Sequence, residues 1–400
     1  IIPATIEGTT VTSIGNEALR NCTRLTSITI PDSVTSIGEA AFFMSSNLTS
    51  ITIGDGVTSI GDYTFSQCHS LTTIEVGAGN VNFTDVNGVL FNSEKTVLLT
   101  YPEGKTGDNY DIPNSVTSIG NDAFSGCTRL TSITIPDSVT SIGEAAFRVC
   151  TRLTSIEIPD SVTSIGDFAF KDCTRLTSIT IPDSVTSIGN FAFYECSNLT
   201  SITIPDSVTS IRKAAFSQCY KLTSITIADD VTSIGNDAFK DCTSLTSITI
   251  PNKVTSIGGH AFAACTSLTT IEVKARNVNF TEVKGALLNA GKTVLLTYPA
   301  GKKGANYTIP DSVTSIEEGA FRGCSSLTNI TIPDSVTSIG EKVFYNCTSL
   351  NAVTFLGDAP KAGRSSPFFF ANPTIYRKPE AKGWGDTFGY RPVKLISEKP

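Results

Sequence analysis

Apolar residues recur along this chain with a period of 23 residues. The tetrad Val-Thr-Ser-Ile occurs twelve times, and successive copies are 23 residues apart except at two places, where the step is 59 residues. The valines of the tetrads are Val11, Val34, Val57, Val116, Val139, Val162, Val185, Val208, Val231, Val254, Val313 and Val336. A fixed period of this length is the signature of a solenoid, in which each repeat forms one coil stacked on its neighbours.

Each repeat places its apolar residues at fixed offsets from its valine, which we number position 0. One example is Val139, Ile142, Phe147, Cys150, Leu153 and Ile156, at positions 0, 3, 8, 11, 14 and 17. The phrase Leu-Thr-Ser-Ile-Thr-Ile alternates apolar and polar residues, which predicts a strand with one buried face. Val-Thr-Ser-Ile predicts a second short strand. The following Gly, acidic or amide residue and Ala-Phe predict one short helical turn.

The fold class that follows is an α/β repeat solenoid, a curved, β-rich array with short helical turns. Stacked strands lie about 4.7–4.9 Å apart, so each repeat position becomes a column of similar side chains. We expect columns of Phe, Leu and Ile inside the solenoid and columns of Ser and Thr outside it.

The cysteines all occupy position 11, and the second repeat has Ser45 there instead. They are Cys22, Cys68, Cys127, Cys150, Cys173, Cys196, Cys219, Cys242, Cys265, Cys324 and Cys347. Their number is odd, ligand pairs of the Cys-x-x-Cys type are absent from the sequence, and His69 and His260 complete no ligand spacing. We therefore predict a column of buried, reduced cysteines, in which serine can substitute because it can bond to a backbone group of the turn.

The two longer steps each contain one repeat and 36 additional residues, at about 77–112 and 274–309. The additions are copies of each other, since Asn80-Val81-Asn82-Phe83-Thr84 recurs as Asn277-Val278-Asn279-Phe280-Thr281. Two β-rich runs flank a polar turn in each copy, at 92–95 and 289–292, which predicts a β-hairpin. Two interpretations remain open: a structural variant of the coil, or a protruding element that contacts a ligand.

The full pattern L-x-x-I-x-I-P-x-x-V-x-x-I-G-x-x-A-F-x-x-C, as it stands in residues 153–173, resembles the BspA-like leucine-rich repeats, also called the Treponema-type repeat. The resemblance covers residues 11–355. It implies a curved solenoid on secreted or cell-surface bacterial proteins, with roles in adhesion to host proteins, other cells or matrix. Members share no catalytic residues, so the resemblance transfers no site. We assign residues 1–355 to the solenoid.

The final segment, residues 356–400, departs from the repeat and is rich in Gly, Pro and aromatic residues, with the single tryptophan at Trp384. The open end of a solenoid exposes apolar columns and unpaired strand edges, so it requires a cap. We predict that this segment is the C-terminal cap. The alternative is an aromatic platform for carbohydrate.

The outward positions of the predicted long strand vary little from repeat to repeat. The candidate ligand face combines basic residues at position 13 with polar residues at position 18: Arg129, Arg152, Arg175, Thr134, Glu157, Thr180 and Thr203. Such a uniform face suits an extended, repetitive ligand such as a glycan. The alternative is that near-identical repeats inherited these residues by duplication.

A net charge of −7 argues against nucleic acid as a partner, because binding nucleic acid needs a basic face. The sequence contains no apolar run of about 18 residues that could span a membrane. A row of turn aspartates offers one carboxylate per repeat, whereas calcium takes six to eight oxygens, so we favour a solvated row of turns over the alternative of a calcium ladder. No other candidate catalytic, cofactor or metal residues stand apart from the repeat.

We therefore predict a non-enzymatic extracellular or cell-surface module for binding or adhesion, without a cofactor. Its expected partner is a host or cell-surface protein, or a glycan or other extracellular polymer, and we expect a monomer. The alternative function is a structural spacer or surface-layer component that presents another domain. Because Ile1 begins inside a repeat-like phrase, we expect the chain to be a fragment, with its signal and anchor not visible.

Overall fold

The structure is a computed structural model that describes residues 2–399, and the chain divides into two compact units, residues 1–199 and 200–400. The strands of the first unit are β1 (Thr5–Ile6), β2 (Thr9–Thr10), β3 (Ser13–Ile14), β4 (Ser27–Thr29), β5 (Ser36–Ile37), β6 (Ser50–Ile53), β7 (Ser59–Ile60), β8 (Thr73–Val76), β9 (Phe83–Val86), β10 (Val89–Asn92), β11 (Val97–Thr100), β12 (Asn109–Asp111), β13 (Ser118–Ile119), β14 (Ser132–Thr134), β15 (Ser141–Ile142), β16 (Ser155–Glu157), β17 (Ser164–Ile165), β18 (Ser178–Thr180) and β19 (Ser187–Ile188).

The second unit has the same kind of element. Its strands are β20 (Ser201–Ile204), β21 (Ser210–Ile211), β22 (Ser224–Ile227), β23 (Ser233–Ile234), β24 (Ser247–Ile250), β25 (Ser256–Ile257), β26 (Thr270–Val273), β27 (Phe280–Val283), β28 (Ala286–Asn289), β29 (Val294–Thr297), β30 (Asn306–Thr308), β31 (Ser315–Ile316), β32 (Asn329–Ile332), β33 (Ser338–Ile339), β34 (Ala352–Phe355), β35 (Lys361–Ala362), β36 (Thr374–Arg377), β37 (Thr387–Phe388) and β38 (Arg391–Leu395).

Both predicted strands of the repeat are confirmed. A short strand occupies positions 2 and 3, and a long strand begins at position 16. Within each unit most equivalent strands of neighbouring coils pair in parallel and without offset, as in the pairing of Ser141 with Ser164 and of Ile156 with Ile179. The long strands β14 and β16 do not pair with each other, nor do β22 and β24. This register stacks each repeat position on the same position of the next coil, which confirms the predicted columns.

The predicted helical turn is wrong, and the solenoid is therefore a β-structure rather than an α/β one. Residues at positions 6 and 10 adopt left-handed backbone conformations, with φ of 53° at Ala145 and 60° at Val149, and these interrupt any α-helix. Their amides instead donate to carbonyls of the next coil, at 2.8 Å to Asp167 and 2.8 Å to Lys171. Within residues 2–399 the helical element is a short 3-10 helix, Ile396–Glu398.

The core of each unit consists of the predicted apolar columns. In the first unit the rings of Phe124, Phe147 and Phe170 are fully buried and stack with centroids 5.2 Å apart at each step. The leucines and isoleucines at positions 14 and 3, such as Leu153 and Ile142, are also buried. Filling each column with one residue type lets successive coils interdigitate at nearly constant spacing.

The first 36-residue addition contains the predicted hairpin and a further coil. Strands β10 and β11 pair antiparallel around the polar turn at 92–95, as predicted, and β9 adds a third antiparallel strand that the sequence did not indicate. Strand β11 then pairs with the short strand β13, and β12 pairs with the long strand β14. The second addition repeats this arrangement with β27 to β30.

The C-terminal segment continues the coil pattern beyond residue 355 before it ends. Strands β35 and β36 pair in parallel with β33 and β34, and β38 then pairs with β36. The ring of Phe368 stacks on Phe344 at 5.4 Å and so extends the phenylalanine column. The partly buried rings of Trp384 and Phe388 pack against the core of the second unit.

Candidate ligand-binding face

The basic residues of the predicted face lie on three consecutive coils of the first unit. Arg129, Arg152 and Arg175 are all exposed, each one residue before the buried leucine that leads into a long strand. Strands β14, β16 and β18 begin three residues after these arginines. The stacking of the coils therefore repeats a guanidinium at the same place on each, at the entry to the long strand.

The arginine row has one acidic neighbour that the sequence did not indicate. Asp108, at position 15 of the coil inside the first addition, has an oxygen 3.8 Å from the Arg152 guanidinium. Both side chains are largely exposed, and an exposed pair of this kind contributes about 0–1 kcal/mol. The pair thus relieves part of the repulsion within the row without fixing Arg152 in place.

In most threonine columns on the outside of the solenoid, the hydroxyls donate hydrogen bonds to the backbone. The hydroxyl at position 1 donates to the carbonyl of the preceding coil, as from Thr163 to Thr140 at 3.2 Å. The hydroxyl at position 15 does the same, as from Thr131 to Asp108 at 3.0 Å. These hydroxyls have a structural role, because each adds a bond between neighbouring coils.

The threonines at position 18 differ from those columns. Thr134 and Thr180 are exposed on the long strands of the first unit, and their hydroxyls have no hydrogen-bond partner among residues 2–399. Glu157, between them in the stack, is exposed in the same way. Thr203 is exposed at the equivalent place in the second unit. Position 18 therefore presents to solvent polar groups that make no hydrogen bond to the described residues of the protein.

Within the described residues, the turn aspartates do not cluster with other side chains that could bind a metal ion. Asp32 uses a carboxylate oxygen to accept the Asp55 amide of the next coil at 2.9 Å. Across the described part of the chain, no group of three or more His, Cys, Asp or Glu side chains is placed to hold a metal ion.

The cysteine column is built on hydrogen bonds between coils. The Cys173 thiol donates to the carbonyl of Phe147 in the preceding coil at 3.1 Å, and the same contact recurs along the column. Ser45 donates to the carbonyl of Leu19 at 2.8 Å in the same way, which confirms the expected substitution. The predicted burial holds for every cysteine except Cys22, which is half-buried. Burial raises the pKa of Cys173 to about 12, so this thiol is a poor nucleophile.

The aromatic residues of the C-terminal segment divide into two groups. Phe368 and Tyr376 are buried, and the Trp384 indole donates to the Gly357 carbonyl at 3.3 Å. Phe370 and Tyr390 remain largely exposed. The single tryptophan, the ring best suited to stacking on a sugar, is thus engaged with the core.

Sequence reasoning missed a buried carboxylate in the first addition. Glu103 accepts the Gln67 amide at 2.6 Å and contacts Nδ1 of His69 at 2.7 Å. In a regular coil the amide at position 10 donates to a carbonyl of the next coil, and here the shortened turn segment leaves Glu103 to replace that carbonyl. Burial raises the pKa of Glu103, while the Gln67 amide and His69 oppose the shift. The replacement of Glu103 by Ala300 in the second copy was the available signal.

Asp122 lies beside the same site, at the edge of a cavity of about 110 Å³ that Tyr63 and Glu103 also line. Its Oδ1 is buried and has no hydrogen-bond partner in the described structure. Burial raises the pKa of Asp122 to about 7, a shift that the Arg148 guanidinium opposes and the Glu144 carboxylate reinforces. This shift in pKa could not be predicted from the sequence, because Asp is one of several residues found at position 6.

A family model described as a BspA type leucine-rich repeat region, with six copies, matches residues 4–106, 103–219, 163–284 and 300–371. No curated protein matches the chain in sequence. No helix within residues 2–399 is long and apolar enough to cross a membrane.

Solved structures of bacterial leucine-rich repeat proteins are similar to this chain. A leucine-rich cell surface protein of Faecalibacterium prausnitzii is 32% identical over 74% of this chain and 88% of its own, with a TM-score of 0.61. A leucine-rich repeat protein of Eubacterium ventriosum is 30% identical over 66% of this chain and 82% of its own, with a TM-score of 0.58. One from Bacteroides ovatus is 26% identical over 99% of this chain and 91% of its own, with a TM-score of 0.50.

Proposed function

Because the chain belongs to the BspA-type leucine-rich repeat family, we propose that it is a non-enzymatic extracellular binding module that holds an extended, repetitive polymer on the long strands of its first unit. The polymer class that fits best is a glycan with carboxylate and hydroxyl groups. Its repeating units would meet the same side chains on each successive coil, since the coils stack in register.

The observation that carries the proposal is the difference between the threonine columns. Threonines at positions 1 and 15 donate to the backbone of the preceding coil, whereas the exposed hydroxyls of Thr134 and Thr180 have no partner in the described structure. A ligand could use the hydroxyls at position 18 without breaking any bond between coils. Stability alone supplies no reason for threonine at that position beyond its preference for strands.

The three arginines around this face favour an anionic polymer, whereas three exposed carboxylates, those of Asp108, Asp111 and Glu157, oppose one. Arg129, Arg152 and Arg175 place cationic groups beside the long strands on three coils, and Arg can bind carboxylates in a bidentate manner. Glu157 lies within the position 18 row and opposes an anionic ligand. We therefore expect the polymer to bind along the arginines, with Glu157 weakening the interaction.

The extracellular location is part of the same proposal. Its support is the similarity to the Faecalibacterium prausnitzii protein, which is described as a cell surface protein and is 32% identical to this chain.

The test is a triple variant, Arg129→Ser, Arg152→Ser and Arg175→Ser, with binding measured by calorimetry on polygalacturonate, an anionic glycan, and on neutral dextran. Serine is already present at position 13 in Ser244 and Ser267, so the fold should tolerate it. If each exposed contact is worth about 0.5 kcal/mol, the triple variant should bind polygalacturonate about tenfold more weakly.

Two further variants serve as matched controls. Glu157→Thr restores the residue that most repeats carry and should strengthen binding of polygalacturonate. Lys95→Asn removes an exposed positive charge from the hairpin turn of the same unit and should leave binding unchanged. If wild type binds neither polymer, or if all variants bind alike, the face is not a binding site, and the spacer function becomes the better account.

A further inference from the structure

The two additions are copies in sequence, yet they cover the preceding strand differently. In a regular coil the amides at positions 17 and 19 of the long strand donate to the next coil, as from Ile30 to the Thr52 carbonyl at 2.9 Å. At each addition the long strand is followed by an antiparallel hairpin instead of a regular coil. This hairpin is β9–β10 in the first addition and β27–β28 in the second. The strands concerned are β8 in the first unit and β26 in the second, and their outward edges must be satisfied by the hairpin or remain open.

The first hairpin closes the edge of β8. The Ile74 amide donates to the Gly88 carbonyl at 3.0 Å, and the Val76 amide donates to Oδ1 of Asp85 at 3.1 Å. The other oxygen of Asp85 accepts the Gly88 amide at 3.2 Å. Asp85 therefore links the turn between β9 and β10 to the edge of β8.

The second hairpin leaves the edge of β26 open. Ile271 and Val273 are the equivalents of Ile74 and Val76, and neither amide has a hydrogen-bond partner among residues 2–399. Glu282 stands where the first copy has Asp85, and its carboxylate accepts the Gly285 amide but does not reach β26. Lys284 replaces Asn87, and its carbonyl is 3.2 Å from the Lys302 ammonium. The longer Glu282 side chain thus satisfies the turn and not the strand.

A groove of about 600 Å³ lies beside this open edge. Its lining includes Thr270 and Glu272 of β26, Phe280 of the hairpin, and the basic residues Lys274 and Lys302. Thr270 is exposed, whereas its equivalent Thr73 is half-buried under the first hairpin. The groove therefore occupies the place that the first hairpin fills.

We propose that the edge of β26 binds an extended, acidic segment of a partner polypeptide by strand addition. The first addition shows which groups satisfy such an edge: a peptide carbonyl on the position 17 amide and a carboxylate on the position 19 amide. An added strand supplies a main-chain carbonyl to each of the Ile271 and Val273 amides, because amides two residues apart face the same edge, and its side chains then lie over the groove. Exposed strand edges recruit partners in this way. Lys274 and Lys302 favour an acidic partner, against the carboxylates of Glu272 and Glu282 in the same groove and the Asp229 carboxylate that pairs with Lys274 at 2.8 Å.

This site lies in the second unit and does not depend on the proposed polymer face of the first unit. The arginine variants described above should therefore leave peptide binding unchanged, so failure of one proposal is distinguishable from failure of the other.

Amide hydrogen exchange tests whether the edge is open. We expect the Ile271 and Val273 amides to exchange at least about tenfold faster than those of Ile74 and Val76, because unbonded amides lack protection. The double variant Glu282→Asp, Lys284→Asn restores the residues of the first copy and should slow exchange in β26. Equal protection of both strands in wild type would overturn the proposal.

Peptide binding tests the occupant. The probe is a blocked octapeptide of alternating Thr and Glu, with alternating Thr and Lys as its control. Wild type should bind the acidic peptide at least about tenfold more tightly than the basic one, and binding should slow exchange at Ile271 and Val273. The Glu282→Asp, Lys284→Asn variant, in which the edge of β26 should be closed, should lose this binding. The reciprocal Asp85→Glu, Asn87→Lys variant should gain a second site at β8. Equal binding of both peptides, or retention by the closed variant, would refute strand addition.

Discussion

Phe147 lies in the middle of the buried phenylalanine column of the first unit, so its replacement tests how the stacked coils are held together. Its ring is fully buried between those of Phe124 and Phe170, each 5.2 Å away. Phe147→Ala leaves a cavity that the flanking coils cannot fill without losing the register of their strands. Substitutions of this kind cost about 3–5 kcal/mol, and each lost ring pair accounts for about 0.5–1.5 kcal/mol.

We expect Phe147→Ala to fall in the upper half of that range, about 4–5 kcal/mol, because two ring pairs are lost. A matched control is Phe168→Ala. Phe168 also stacks on a neighbouring ring, that of Phe191 at 5.1 Å, but it is half-buried on the turn side. Position 6 already carries alanine in Ala145 with a similar backbone conformation, φ 53° against 57° at Phe168. This control should cost about 1 kcal/mol.

The assay is equilibrium unfolding in urea followed by far-ultraviolet circular dichroism. A solenoid can unfold in parts, since each coil contacts only its neighbours, so exchange of amides in coils on either side of Phe147 should be recorded as well. We expect loss of protection to be greatest in those coils. Equal effects of Phe147→Ala and Phe168→Ala would refute the account of the column as the main source of stability.

Three further outcomes follow from the buried polar groups. Thiol titration in denaturant without reductant should count all 11 cysteines of the chain, and markedly fewer would mean that disulfides exist. Cys173→Ser should cost about 1 kcal/mol or less of stability, because the hydroxyl can keep the bond to the Phe147 carbonyl as Ser45 does with that of Leu19. Cys173→Val should cost about 1–3 kcal/mol by overpacking. Urea unfolding would show the reverse order of the two variants if the thiol contact were unimportant. The folded-state pKa of Asp122, about 7, exceeds its ordinary value of 3.8, so stability should fall as pH rises from about 4 to 7, and Asp122→Asn should reduce this fall in urea midpoints measured across that range.

The strands were predictable because their physics is local. The alternation in residues 153–158 identifies one buried and one exposed side, and the 23-residue period then fixes which residues meet in neighbouring coils. The cysteine column was predictable for the same reason, since Ser45 showed that the position needs a small group able to donate a hydrogen bond.

The turn segment could not be assigned correctly from local preference alone. Ala145 and Ala146 favour helix in isolation, whereas bonds to the next coil hold Ala145 and Val149 in left-handed conformations. A signal was present in other repeats, where Gly319 and Gly323 occupy positions 6 and 10, because glycine adopts such conformations without strain.

The candidate sites were only partly predictable. Exposure of Arg129, Arg152 and Arg175 follows from their charge and from their place beside the buried leucines at position 14, and the structure agrees. Which threonine hydroxyls bond to the backbone and which are free depends on distances between coils, and these distances cannot be read from the sequence. The same holds for the β26 edge, since a difference of one methylene between Asp85 and Glu282 decides whether a carboxylate can reach the strand.

The proposal that the first unit binds an anionic polymer through its arginine row is tested most directly by the salt dependence of binding. The dissociation constant for polygalacturonate would be measured over a range of ionic strength for wild type and for the triple Arg→Ser variant. Exposed ion pairs are screened by salt, so wild-type binding should weaken steeply and the variant should show a much shallower dependence. The same slope for both proteins would contradict the account.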